Sequence, residues 1–266
     1  MSLSDGDISL SRSDLTPTWL KKNFLTGLQF VDEHGTEYGD DFFDYHLSNA
    51  VAKLEKLCDI AILELDIKSE EHDYLVTDYL NWGWMQLYKV PVKQVNELRG
   101  VYPLGTNVVK YPNEWIQVNG EAGQINVVPT QGAIGAVIIG QGGDFVPLVY
   151  GGVSRVPNLW QVDYVAGMDP DNMPRMVVEG IAKLACMDLL TIVSDTTRPV
   201  GVTSQSASVD GLSQSQSYAV PAFQGRLQRY TADLYGPEGK QQDLTMTSGL
   251  LRQIRDAYRP ITLASI

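Results

Sequence analysis

The sequence predicts an α+β protein: a small helical bundle core with an inserted β-rich module and extended N- and C-terminal arms. Three observations predict it. Val162, Tyr164 and Ala166 alternate with Gln161, Asp163 and Val165, the period of two of a half-buried strand. Residues 174–193 then form a helix that is apolar almost all round, interrupted only by Arg175, Glu179, Lys183 and Asp188; such a helix must be covered on most sides. Between residues 115 and 139, the runs WIQV, QINVV and AIGAVII are separated by glycine-containing turns, the pattern of a small β module. Helix, β insert and helix with few long linkers read as one α+β domain carrying arms.

The elements follow in order. Residues 1–15 form a polar N-terminal arm, and 16–87 the first helical part. Thr16 and Pro17 suit the N-cap and first position of a short helix carrying Trp19, Leu20, Phe24 and Leu25. A stronger helix spans Asp41 to Ile60, with Phe43, Leu47, Ala50, Val51, Leu54, Leu57 and Cys58 at helical spacing and an acidic start suited to the dipole. Residues 88–159 are the inserted β module, where Tyr88 to Val95 reads as a strand that Pro91 confines to an edge or a bend. Residues 160–258 hold the opening strand, Gly167 and the MDPDN break, and the helix restarted by Pro174. A Ser/Gln-rich stretch follows, then helices marked by Phe223, Leu227, Tyr230 and Leu234 and by Leu250, Leu251, Ile254 and Tyr258. Residues 259–266 are an extended apolar tail beyond Pro260.

The chain has 266 residues, 44% hydrophobic and 20% charged, with a formal net charge of −12. The length suffices for a sizeable core, and the acidity argues against an open nucleic-acid surface or an anionic membrane surface. The N-terminus is polar and acidic, unlike a signal peptide, and no apolar run approaches the roughly 20 residues of a membrane span. A protein made in a cytosol is expected. Cys58 and Cys186 lie within apolar helices and read as small core residues.

No motif announces chemistry. The run GAIGAVIIGQGG (132–143) brackets a β segment and leads to no helix N-terminus, so its glycines read as hairpin turns. His34, His46 and His72 lack metal-ligand spacing, and His46 reads as a packing histidine on the long helix. The acidic pairs Asp40-Asp41, Glu70-Glu71 and Asp169/Asp171 read as turn and helix-start residues. Trp82, Trp84, Trp115 and Trp160 admit a sugar platform, although interface or packing roles suit them better. No catalytic, cofactor or metal residue is predicted.

The order TPTWLKKNFLTGL, GDDFFDYHLSNAVAKLEKLCDI, LYKVPVKQV, YPNEWIQV, GQINVVP, WQVDYVAGMDPDNMPRMVVEGIAKLACMDLL and GVTSQSASVDGLSQSQSY resembles the head–tail connector (adaptor) proteins of tailed bacteriophages. The most specific pieces are PVKQV, VDYVAG…P and SxSxDGLSxSxS, and the resemblance covers most of residues 16–235. It implies a helical, adaptor-like core in a ring, twelve-fold in the family, under the portal at the head–tail interface (the neck) of a virion. That ring extends the DNA channel and carries the next tail component. The chain departs from the smallest members by its β insert.

On that reading the apolar helix is covered by the chain's own helices on one side and by an adjacent protomer on the other. Tyr258, Arg259, Pro260, Ile261, Leu263 and Ile266 are the expected portal-docking residues. Arg226, Arg229, Arg252 and Arg255 are expected to pair across protomers in an acidic ring, and DNA passes without sequence-specific binding. The alternatives are a carbohydrate-binding or tail-fibre-like module using the β insert, and an enzyme with a site of converging titratable groups.

Overall fold

The computed structural model describes residues 15–32, 34–75, 84–102, 106–127, 154–197, 204–209, 212–217, 223–236 and 249–259. The chain is α+β, and it divides into two compact units, Met1–Cys58 with Pro170–Ile254 and Asp59–Asp169 with Arg255–Ile266.

The first unit is built on helices. In α1 (Pro17–Asn23) the Thr16 hydroxyl accepts the Trp19 N–H at 3.2 Å, with proline in the first turn, as the local sequence requires. Helix α2 (Asp40–Cys58) buries Phe43, Leu47, Ala50, Val51, Leu54 and Cys58, one face at a spacing of three and four. Helix α3 (Arg175–Thr197) packs against α2 and against α4 (Gln224–Tyr235). Its first turn rests on Pro174, whose carbonyl accepts the N–H groups of Val177 and Val178.

The expectation that α3 needs a neighbouring protomer is corrected here. Val177, Val178, Ile181, Ala182, Leu184, Ala185, Cys186, Leu189, Leu190 and Val193 are all buried within one chain. The reason is visible at Gly180, where a Cβ would lie 3.2 Å from Ile254 Cδ1 and 3.4 Å from Leu54 Cδ2. The missing side chain lets α2 and α5 (Leu250–Tyr258) close over the same stretch of α3.

The Ser/Gln-rich stretch contains a two-stranded antiparallel hairpin whose strands in chain order are Ser204–Val209 and Leu212–Ser217, with Val209 paired to Leu212. Asp210-Gly211 between them is a strong two-residue hairpin signal. It escapes a reading based on apolar alternation because the flanking runs are serine and glutamine.

The second unit is a pair of antiparallel sheets. The four-stranded sheet has the order β1 (Leu65–Leu75), β7 (Arg155–Ala166), β3 (Val92–Tyr102), β4 (Thr106–Tyr111); the three-stranded one has β2 (Met85–Gln86), β6 (Gln124–Val127), β5 (Ile116–Asn119). Along β7, Val162, Tyr164 and Ala166 are buried while Gln161, Asp163 and Val165 are half-buried, so the alternation that opened the reading is a sheet's inner face. Leu87, Leu98, Tyr111, Trp115, Ile125 and Trp160 share one core across both sheets. Pro91 sits at a bend before β3, behind a cis Val90–Pro91 bond.

The sheet therefore recruits segments outside residues 88–159. Strand β1 has the sequence LDIKSEEHDYL, and only Glu70 and Tyr74 of it are buried. Its charges are those of a protected edge strand, which is why period-two reading does not find it. The run AIGAVII, the glycines of 132–143, Trp82, residues 1–14 and residues 260–266 lie outside the described residues.

Candidate functional site

Strand β1 carries a bulge. Ile67 pairs with Tyr164 and Glu70 with Val162, so three steps on β1 oppose two on β7, and Ser69 takes a left-handed φ of 56°. One extra residue re-aims the side chains beside it, and here it turns Glu70 into the interior while Ser69 faces the opposite side. On that opposite side Arg99 donates to Ser69 Oγ at 2.6 Å and pairs with Asp163 at 3.3 Å, and the Ser69 N–H donates to Asp163 at 2.6 Å. Three strands are tied by one guanidinium.

Inside, Glu70 is the hub of a polar cluster. Its Oε1 accepts the Tyr88 N–H at 2.9 Å and lies 2.8 Å from His72 Nε2; its Oε2 accepts the Tyr164 hydroxyl at 2.5 Å. The Tyr164 hydroxyl in turn accepts the Lys89 N–H at 3.0 Å. The His72 and Tyr88 rings lie against each other with centroids 4.8 Å apart. Burial opposes ionisation of Glu70, but the bonds from His72, Tyr164 and the Tyr88 N–H outweigh it and hold the carboxyl below the ordinary glutamate range. Burial, and then the bond to Glu70, push the Tyr164 hydroxyl well above the ordinary tyrosine value. Both carboxylate oxygens are thus engaged in fastening the 88–89 segment to the sheet. The cluster is architecture built from a residue pair that the sequence placed in a turn.

Arg259 converges on the same segment. Its Nη2 lies 2.9 Å from Asp59 Oδ2 and donates to the Tyr88 carbonyl, while its Nε donates to the Asp59 carbonyl at 3.1 Å. Tyr258 is buried, and that burial raises its hydroxyl pKa. Arg259 is therefore engaged within the second unit, whereas Pro260, Ile261, Leu263 and Ile266 fall outside the described residues.

The four arginines expected at protomer contacts are not equivalent. Arg226 donates to the Thr26 carbonyl at 2.9 Å, and nearby the Tyr230 hydroxyl donates to the Phe24 carbonyl at 2.7 Å. These bonds hold α4 to the segment after α1: Arg226 Nη2 is engaged inside the chain, while its Nη1 is buried without a hydrogen-bond partner. Arg229 and Arg255 are exposed and Arg252 is half-buried. Lys183, with a side chain 9% exposed, pairs with Glu179 at 2.7 Å and Asp233 at 2.9 Å and so joins α3 to α4.

Two of the four tryptophans considered for a sugar platform, Trp115 and Trp160, have no open ring face. Trp115 and Trp160 are 1% and 5% exposed, with Trp160 packed on Tyr111 at 5.5 Å and Tyr74 at 6.0 Å. Stacking on a sugar needs an open ring face, and these faces are used by the sheet core. Trp84 is about half exposed. His46 is buried against the Phe42 and Tyr45 rings, and burial lowers its pKa. Both cysteines are buried, and burial raises the Cys186 thiol pKa well above its ordinary value. Among the described residues no three His, Cys, Asp or Glu side chains are grouped to hold a metal ion, and no helix is long and apolar enough to cross a membrane.

No protein-family model matches the sequence, and no curated protein matches it. Among solved structures the chain is similar to one from the virion of the native gene transfer agent (GTA) particle, at 17% identity and a TM-score of 0.36, over 74% of this chain and 84% of that one. It is also similar to one from the neck of the empty GTA particle computed with C6 symmetry, at 17% identity and a TM-score of 0.32, over 66% of this chain and 78% of that one. Superpositions at this level carry no argument about role.

Proposed function

We propose that this chain is a structural virion protein of the head–tail adaptor kind. Copies form a ring under the portal, extend the DNA channel and carry the tail-side connector. The observation that carries the reading is the strand–turn–helix from Trp160 to Thr197. Its strand, its glycine break at Gly167 and its proline-started helix form over the same residues that carry the VDYVAG…P resemblance. The net charge of −12 per copy also suits a wall past which DNA slides, since a polyanion finds little there to displace its counterions.

Ring contacts on this reading come from exposed side chains such as Arg229 and Arg255, each individually weak, and not from the buried face of α3. The portal-docking segment is residues 260–266, and a twelve-fold ring in the virion neck follows from the family resemblance. The test is native mass measurement and negative-stain imaging of the purified protein with its cognate portal. A ring seated on the portal is expected; failure to bind portal under every condition overturns the reading.

A further inference from the structure

The start of α2 carries an aromatic patch that the chain leaves open. Tyr38 and Phe42 stack with centroids 4.3 Å apart, and the His46 ring lies edge-on to Phe42 at 4.8 Å and to Tyr45 at 5.3 Å. Tyr45 nevertheless stays 68% exposed, and His46 Nδ1 is buried without a hydrogen-bond partner, a polar atom that a finished surface would satisfy. Exposed carboxylates edge the patch, since Asp41 and Asp44 share one side of the helix with Tyr45, at separations of three and four. Asp40 pairs with Lys21 at 2.9 Å, but among the described residues no cation pairs with Asp41 or Asp44. Burial, and then the charges of Asp40 and Asp41, push the Asp44 carboxyl above the ordinary aspartate range. An open tyrosine ring edged by uncompensated negative charge suits an arginine.

The same compact unit offers that arginine on another side. Along α4, Gly225, Gln228, Arg229 and Ala232 recur at three and four residues and all are exposed. Arg229 therefore stands clear of its neighbours, and among the described residues it pairs with no carboxylate. Helices α2 and α4 hold α3 from different sides. Lys53 of α2 pairs with Asp188 at 2.5 Å and Asp233 of α4 with Lys183 at 2.9 Å; positions 183 and 188 lie about 140° apart around α3.

We propose that the Asp41–Tyr45 face of α2 in one copy of this chain receives Arg229 of α4 in the next copy, a head-to-tail contact. Charge complementarity names the occupant. Copies carrying −12 each repel one another, and a contact between unlike patches offsets that repulsion where a like-to-like contact adds to it. A heterologous contact of this kind closes into a ring where its rotation allows. That such a ring sits on a portal rests on the adaptor reading.

The experiment is native mass measurement of the full chain with its cognate portal. One variant combines Asp41→Lys with Asp44→Lys, which makes both faces positive; the other is Arg229→Glu, which makes both negative. Each alone is expected to lose assembly about tenfold or more, and a 1:1 mixture is expected to regain it, because the two variants complement each other in alternation. Wild-type assembly by either variant alone overturns the contact and leaves the adaptor reading standing, as does a mixture that stays unassembled while both variants melt like wild type. A wild-type chain that never assembles on portal overturns the adaptor reading and the contact together. Should a variant not fold, oxidation of a chain carrying Tyr45→Cys and Arg229→Cys decides: cross-links between copies support the contact, and their absence from the assembled ring overturns it.

Discussion

The Tyr164 hydroxyl donates to Glu70 Oε2 at 2.5 Å, joining the middle of β7 to the inside of the β1 bulge. The same hydroxyl accepts the Lys89 N–H, so one oxygen links two strands to the segment leading into β3. A short neutral side chain would leave a buried carboxylate facing its own sheet.

Tyr164→Phe is expected to cost about 1–3 kcal/mol, because Glu70 loses a donor and Lys89 an acceptor. Urea denaturation measures it, and a loss under about 0.5 kcal/mol would show the cluster to be idle. The pH dependence has a definite sign. The Glu70 carboxyl is held below its ordinary value in the folded chain, so its contribution is present above the unfolded glutamate pKa of about 4.3 and is lost as pH falls through the lower folded value. Glu70→Gln is expected to flatten that acid limb, and an unchanged slope would remove Glu70 from the account.

Lys183 separates stem packing from charge. Lys183→Ala is expected to destabilise by about 1–3 kcal/mol, since it removes both the charged bonds to Glu179 and Asp233 and the buried methylenes. Lys183→Met should recover part of that loss through its stem. Burial alone would lower this lysine's pKa, but the bonds to Glu179 and Asp233 raise it, so its contribution holds at neutral pH and fades as pH rises past the lysine range. Equal melting curves for wild type and Lys183→Ala would contradict this.

Gly167 follows the last residue of β7. Its φ is 130°, and a Cβ there would meet the Leu63 carbonyl oxygen at 2.7 Å and Glu64 Cα at 2.8 Å. Those are backbone atoms with no rotamer to yield, so Gly167→Ala is expected to cost about 2–4 kcal/mol. A melting midpoint within 1 °C of wild type would rule the close approach out.

Local pattern was readable where one residue's neighbours in sequence are also its physical environment. Thr16 and Pro17 cap and start α1 through contacts three or four residues away. The spacing from Phe43 to Cys58 marks the buried face of α2, and the alternation at Val162, Tyr164 and Ala166 marks that of β7. The α+β class follows from such stretches. Strand β1 did not announce itself, because as an edge it keeps its charges in solvent and buries only Glu70 and Tyr74.

Partnership over long separations was decided by tertiary packing alone. Glu70 and Tyr164 are 94 positions apart, Asp59 and Arg259 200, and Arg226 and Thr26 200. Periodicity reports which way a side chain points on its own element; it carries no information about which distant group arrives there. Amino-acid order thus settled the start of α1 and the apolar faces of α2 and β7. Only folding determined that α3 is covered within one chain, that a glutamate from an unremarkable acidic pair becomes a buried hub, and that Arg259 bridges Asp59 and the Tyr88 carbonyl.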